Sequence, residues 1–123
     1  MKLATLHSTR TAARKPAATK TSPVLLSFDL GIQGDYDSLY AWLDKHEAKE
    51  CGSNLAIFDY PYNKDLLKEI RLDLRKAIKI TTNTRIYIMC KVGDALKGNF
   101  VIGSRRNAPW TGTADIATVE DTL

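Results

Sequence analysis

Three observations predict an α+β sandwich. Short apolar runs have strand character, two segments between them space their apolar residues as helices do, and one helix follows the first strand while the other follows a pair of strands. The length, 123 residues, is that of one domain. A composition 44% hydrophobic and 26% charged is that of a globular chain, which excludes collagen-like, disulfide-scaffold and wholly disordered classes.

The folded part opens with Val24-Leu25-Leu26-Ser27-Phe28-Asp29-Leu30, an apolar run ended by Gly31 and Gly34 that reads as a buried strand. From Asp35 to His46, Tyr36, Leu39, Tyr40 and Leu43 fall on one helical face, with Asp35 as N-cap. Lys49 to Gly52 reads as a short strand turning at Gly52-Ser53-Asn54. Leu55 to Tyr60 reads as another strand, stopped by Pro61. Asn63 is the expected cap of a second helix from Lys64 to Lys79, whose apolar stripe is Leu66, Leu67, Ile70, Leu74, Ala77 and Ile78. Thr84 to Val92 is β-rich. Gly93-Asp94 and Gly98 then bracket a loop, and Asn99 to Gly103 forms a last short strand. The order βαββαβ plus one strand is that of the split βαβ, ferredoxin-like sandwich, which needs about 80 residues.

Residues 1–23 contain Lys2, Arg10, Arg14, Lys15 and Lys20 and no acid, while the remainder carries 13 basic and 14 acidic side chains. The basicity therefore lies in a tail whose Thr, Ser, Ala and Pro cannot offset their ordering entropy, and which reads as disordered. An inert extension, a phosphate-gathering arm and a transit peptide all fit it. Three parts follow: a disordered basic tail over 1–23, a domain over 24–110, and a flexible C-terminal tail over 111–123. No apolar run reaches the ~20 residues of a membrane helix. Cys51 and Cys90 lack metal-ligand spacing and read as free thiols of a reducing compartment, the cytoplasm, with Cys90 in an apolar strand. His7 and His46 are too scattered for a His-built metal site.

Asp29 is the first candidate for chemistry. A carboxylate leaving the sheet beside a glycine-containing loop is a hard oxygen ligand for Mg²⁺ or Mn²⁺, and a two-fold dimer would set two of them face to face. On residue types alone it better suits a carboxylate that accepts backbone N–H groups of the loop. Asp35 and Asp37 offer further oxygens or serve the helix N-terminus. Gly31 and Gly34 lack the Lys-Ser/Thr of a P-loop and the third Gly of a dinucleotide site. Arg105 and Arg106, with Lys97 and Trp110, make the best basic-aromatic cluster of the body. Lys68, Arg71, Arg75, Lys76 and Lys79 are interleaved with Asp65, Glu69 and Asp73, as on a salt-laced solvent face.

Phe28-Asp29-Leu30 at the end of the first strand, a Tyr- and Leu-bearing helix, a short strand and Ile57-Phe58-Asp59, with Trp110 near the end, resemble the small ferredoxin-like CRISPR adaptation nuclease superfamily, which includes VapD-like and SinR-like proteins. The resemblance covers 24–110. It implies a homodimer in which the extra C-terminal strand docks on the partner's sheet, and Asp29 as the catalytic, metal-binding residue of a Mg²⁺- or Mn²⁺-dependent RNase or DNase. Ala56 departs from the small hydroxyl residue many members place there, and the basic tail lies outside the family pattern.

The sequence thus leads to a nucleic-acid-handling homodimer of the cytoplasm. Asp29 holds the metal, and Arg105, Arg106, Lys97, Arg14, Lys15 and Lys20 contact RNA or DNA. Its alternatives are a non-catalytic nucleic-acid-binding module and a protein-protein adaptor working through an edge strand.

Overall fold

The computed structural model describes residues 20–115. Within them the chain runs β1 (Lys20–Asp29), α1 (Tyr36–Lys45), β2 (Lys49–Glu50), β3 (Leu55–Tyr62), α2 (Leu66–Ala77), β4 (Arg85–Val92) and β5 (Ala95–Ile102). The strands form one sheet in the order β2-β3-β1-β4-β5, with every neighbouring pair antiparallel. The class is α+β.

Alternation along the strands gives the sheet two unlike faces. Val24, Leu26 and Phe28 of β1 point to one side. There they pair with Phe58 and Ala56 of β3 and with Cys90, Ile88 and Ile86 of β4. All of these are buried, and both helices cover them. Trp42 of α1 packs against Phe58 and Tyr60, ring centroids 5.5 and 6.2 Å away. Leu66, Ile70 and Leu74 of α2 close the same layer. At about 1.5–3 kcal/mol for each large apolar side chain, this face carries most of the stability.

Several boundaries differ from the sequence reading. Lys20 to Pro23, assigned to the tail, belong to β1 and pair with Tyr62 to Asp59. Neither proline breaks its strand. β4 pairs with β1 only from Val24 onward, and β2 pairs only with Ala56 and Ile57, so Pro23 and Pro61 each have one side without a neighbouring ladder. The N-cap of α2 is Asp65, whose carboxylate accepts from the Lys68 N–H. Asn63 does not cap the helix. Its N–H, with those of Lys64 and Asp65, donates to the Glu69 carboxylate, which holds 63–65 outside the helix. The segment 93–98 is not a loop. Gly93-Asp94 is a two-residue turn, and β5 begins at Ala95. This extra strand pairs with β4 of its own chain and forms an edge of the sheet.

Asp35 caps α1 as expected, accepting from the Ser38 N–H. Its other oxygen accepts the Lys79 N–H at 2.8 Å, binding the start of α1 to the link between α2 and β4.

Candidate functional site on the uncovered sheet face

Neither α1 nor α2 lies over the second face of the sheet. Its β1 residues Leu25, Ser27 and Asp29 stand opposite Met89, Tyr87 and Arg85 of β4. Tyr87 in turn faces Phe100 of β5. At the Asp29 end these side chains line an open cleft of about 270 Å³, bounded by Ser27, Asp29, Arg85, Tyr87, Phe100 and Arg105.

Local irregularities in β5 build this cleft. The register slips between Ile86 and Tyr87, so Val101 is an extra residue, and Val101 and Ile102 are both buried on the helix side. Gly103 then turns at φ 80°, a conformation open to glycine, with the Thr84 carbonyl where a Cβ would stand. The chain returns over the open face and lays Arg105 above both rings, its guanidinium carbon 5.7 Å from the Tyr87 centroid and 5.5 Å from that of Phe100. The two rings meet edge to face at 4.9 Å. Tyr87 leans across Gly98, whose missing side chain leaves the space its hydroxyl end occupies.

Asp29 is held from two sides. Arg85 Nη2 donates to Oδ2 at 3.1 Å, and the Gly31 N–H donates to Oδ1 at 3.2 Å. The Arg85 hydrogen bond, then that of Gly31, holds the carboxyl below the usual carboxylate range, and the Arg106 charge adds to this. The side chain is still 51% exposed. Of the two roles read from the sequence, the acceptance of a loop N–H is the one seen here, and the carboxylate stands at the lip of a cleft. Arg85 Nε is buried and finds no acceptor among the described residues.

The other candidates separate. Arg105 lines the cleft, and Arg106 is close enough to act on Asp29. Lys97 pairs with Cys90, whose side chain is in the core, so it belongs to the opposite face and does not join the arginines. Lys20 begins β1 whereas Asp29 ends it, about 30 Å apart at ~3.3 Å per residue. Its ammonium lies 5.8 Å from the Tyr62 ring centroid. Trp110, 72% exposed, is not among the cleft residues. Arg14 and Lys15 lie outside the described residues. Arg85, Tyr87, Phe100 and Gly98 were not singled out as site residues. Their one signal was the alternation of Arg85-Ile86-Tyr87-Ile88-Met89, polar or large residues interleaved with aliphatic ones.

Farther along the same face Pro23, Leu25, Ile57, Met89, Lys91 and Leu96 line a shallow apolar groove of about 290 Å³. Leu96 is 73% exposed and Met89 37%. Among the described residues no three His, Cys, Asp or Glu side chains are grouped to hold a metal, and no helix is long and apolar enough to cross a membrane.

No family model, curated protein or solved structure matches the chain.

Proposed function

We infer that this protein handles nucleic acid through the uncovered face of its sheet, binding backbone phosphates with Arg85, Arg105 and Arg106 beside the Tyr87 and Phe100 rings. The observation that carries this reading is the Arg105 guanidinium held within cation–π range of both rings in a cleft open to solvent. Forked guanidinium donors match phosphate oxygens, and aromatic faces accept bases. The order β2-β3-β1-β4 with both helices on one face fits two interlocked β-α-β units, and supports the ferredoxin-like form of the fold. Free Cys51 and Cys90 support a reducing, cytoplasmic setting.

A second reading, metal-dependent cleavage by a homodimer, draws on the place of Asp29. It ends β1, the middle strand of five, on the open face. Two sheets stacked face to face about a two-fold axis along β1 bring the two Asp29 carboxylates together. The same axis sets Asp59 of one copy, which pairs with Pro23, against Lys91 of the other, one step past the Cys90 that pairs with Val24. Mg²⁺ or Mn²⁺ would there take oxygens from both Asp29 side chains and from the scissile phosphate. The Arg85 ion pair, which already satisfies this carboxylate, favours the binding reading.

Light scattering with labelled RNA and DNA, in Mg²⁺, Mn²⁺ or EDTA, separates the readings. The binding reading expects metal-independent retention of intact oligonucleotide by wild type and by Asp29→Asn. Cleavage that needs metal and is lost in Asp29→Asn, from a dimer, overturns it for the second. Neither binding nor cleavage overturns both and leaves the protein-protein adaptor.

A further inference from the structure

We propose that the cleft takes one unpaired nucleotide, its base displacing the Arg105 guanidinium from the Tyr87 ring and its phosphate receiving that guanidinium, so that the protein selects single strands over duplexes. This rests on the nucleic-acid reading above and specifies its substrate.

The argument begins with the ring. Tyr87 crosses Gly98 with its hydroxyl end over bare backbone, so it lies along the sheet instead of standing up from it. A ring in that attitude turns one face to the sheet and the other to solvent. What covers the outward face is Arg105, a planar cation of roughly the thickness of a base, carried by an exposed link after β5. Guanidinium and nucleobase use an aromatic face in the same way, by stacking, so one can replace the other there.

The surroundings suit a nucleotide. The cleft, about 270 Å³ and open to solvent, is of the size of one base with its sugar. Ser27 and the Asp29 carboxylate offer acceptors at its edge for the N–H groups of a base, and Arg85 and Arg106 flank the position of a phosphate. A duplex keeps its bases stacked on one another and would meet this face with phosphates alone.

The test uses the full 123-residue chain. Binding of labelled oligo(U), oligo(dT) and a mixed-sequence DNA duplex of equal length is followed by fluorescence anisotropy across a salt series. The expected result is single strands held at least about tenfold more tightly than duplex, with Tyr87→Phe close to wild type and Tyr87→Leu losing about tenfold on single strands only. Oligo(U) against oligo(dT) tells whether the occupant is ribo or deoxyribo. Should Tyr87→Leu fail to fold by circular dichroism, Arg105→Gln carries the same question from an exposed position. It should weaken single-strand binding and lower the slope of log K against log salt by about one. Equal affinity for duplex and single strands, or Tyr87→Leu and Arg105→Gln binding single strands as wild type does, overturns the proposal while leaving nucleic-acid binding in place. Absence of binding to all three probes overturns it together with the reading on which it rests.

Discussion

The two faces of the sheet are made by the same strands, residue by alternate residue, and differ in almost everything else. On the helix side Val24, Leu26, Phe28, Ile86, Ile88 and Cys90 are aliphatic, aromatic or thiol, and buried. On the other side Leu25, Ser27, Asp29, Arg85, Tyr87 and Met89 mix charge, hydroxyl, ring and chain in a space one strand step away. A sheet packed on one side only asks its outer residues to be no more than soluble and compatible with a strand. Rings and guanidinium groups gathered around an ion pair exceed that requirement. The core of the molecule is therefore informative about stability, and the open face about use.

Stability measurements can break this contrast. Ile88→Ala, on the helix side, should cost about 2–5 kcal/mol in urea unfolding. Its neighbour Met89→Ala should cost only about 0.5 kcal/mol at the same m-value. Equal costs would mean that the open face is covered in solution, as the homodimer requires. Next in size is Gly103→Ala, where a side chain must accept φ 80° and meet the Thr84 carbonyl. It should lose more than about 1 kcal/mol and loosen Arg105 from the rings.

A smaller loss, about 1 kcal/mol, is expected of Tyr60→Phe. That hydroxyl donates to Asp73 Oδ2 at 3.0 Å, and burial together with the Asp73 charge pushes its pKa up. A titration of tyrosine absorbance should show the Tyr60 ring ionising above the usual tyrosine range.

The smallest effect belongs to Asp29→Asn. The wild-type carboxyl titrates below its unfolded value, so its ion pair stabilises above about pH 4 and the contribution disappears as pH falls through the lower folded value. Half exposed, the pair is worth well under about 1 kcal/mol. The thermal midpoints of wild type and variant should differ slightly at pH 7 and converge as pH falls below the folded value.

Much of the covered face was legible in the sequence. The stripe Leu66, Ile70, Leu74 and Ile78, the run Val24 to Leu30 and the buried Cys90 follow from periodicity, because burial of one face imposes it. The position of Asp29 at a strand end was legible in the same way. Its partner Arg85, 56 residues on, was not, since cross-strand pairing depends on a register that local pattern does not carry. The aromatic cleft needs that register, a bulge at Val101, and a glycine strand position that reads locally as a loop. Asn63 and Asp65 are both good cap residue types, and the choice between them rests with the Glu69 carboxylate one turn into the helix.

The double engagement of Asp35 bears on how the molecule opens. One carboxylate closes the first turn of α1 at Ser38 and also grips the backbone at Lys79, 44 residues away. The first turn of α1 is then fully capped only when the second half of the chain has come home. Fraying that would otherwise stay local is thereby coupled to release of the α2–β4 link. In hydrogen–deuterium exchange the Ser38 and Lys79 amides should lose protection together, and Asp35→Ala should speed both while leaving the amides of β1 slow.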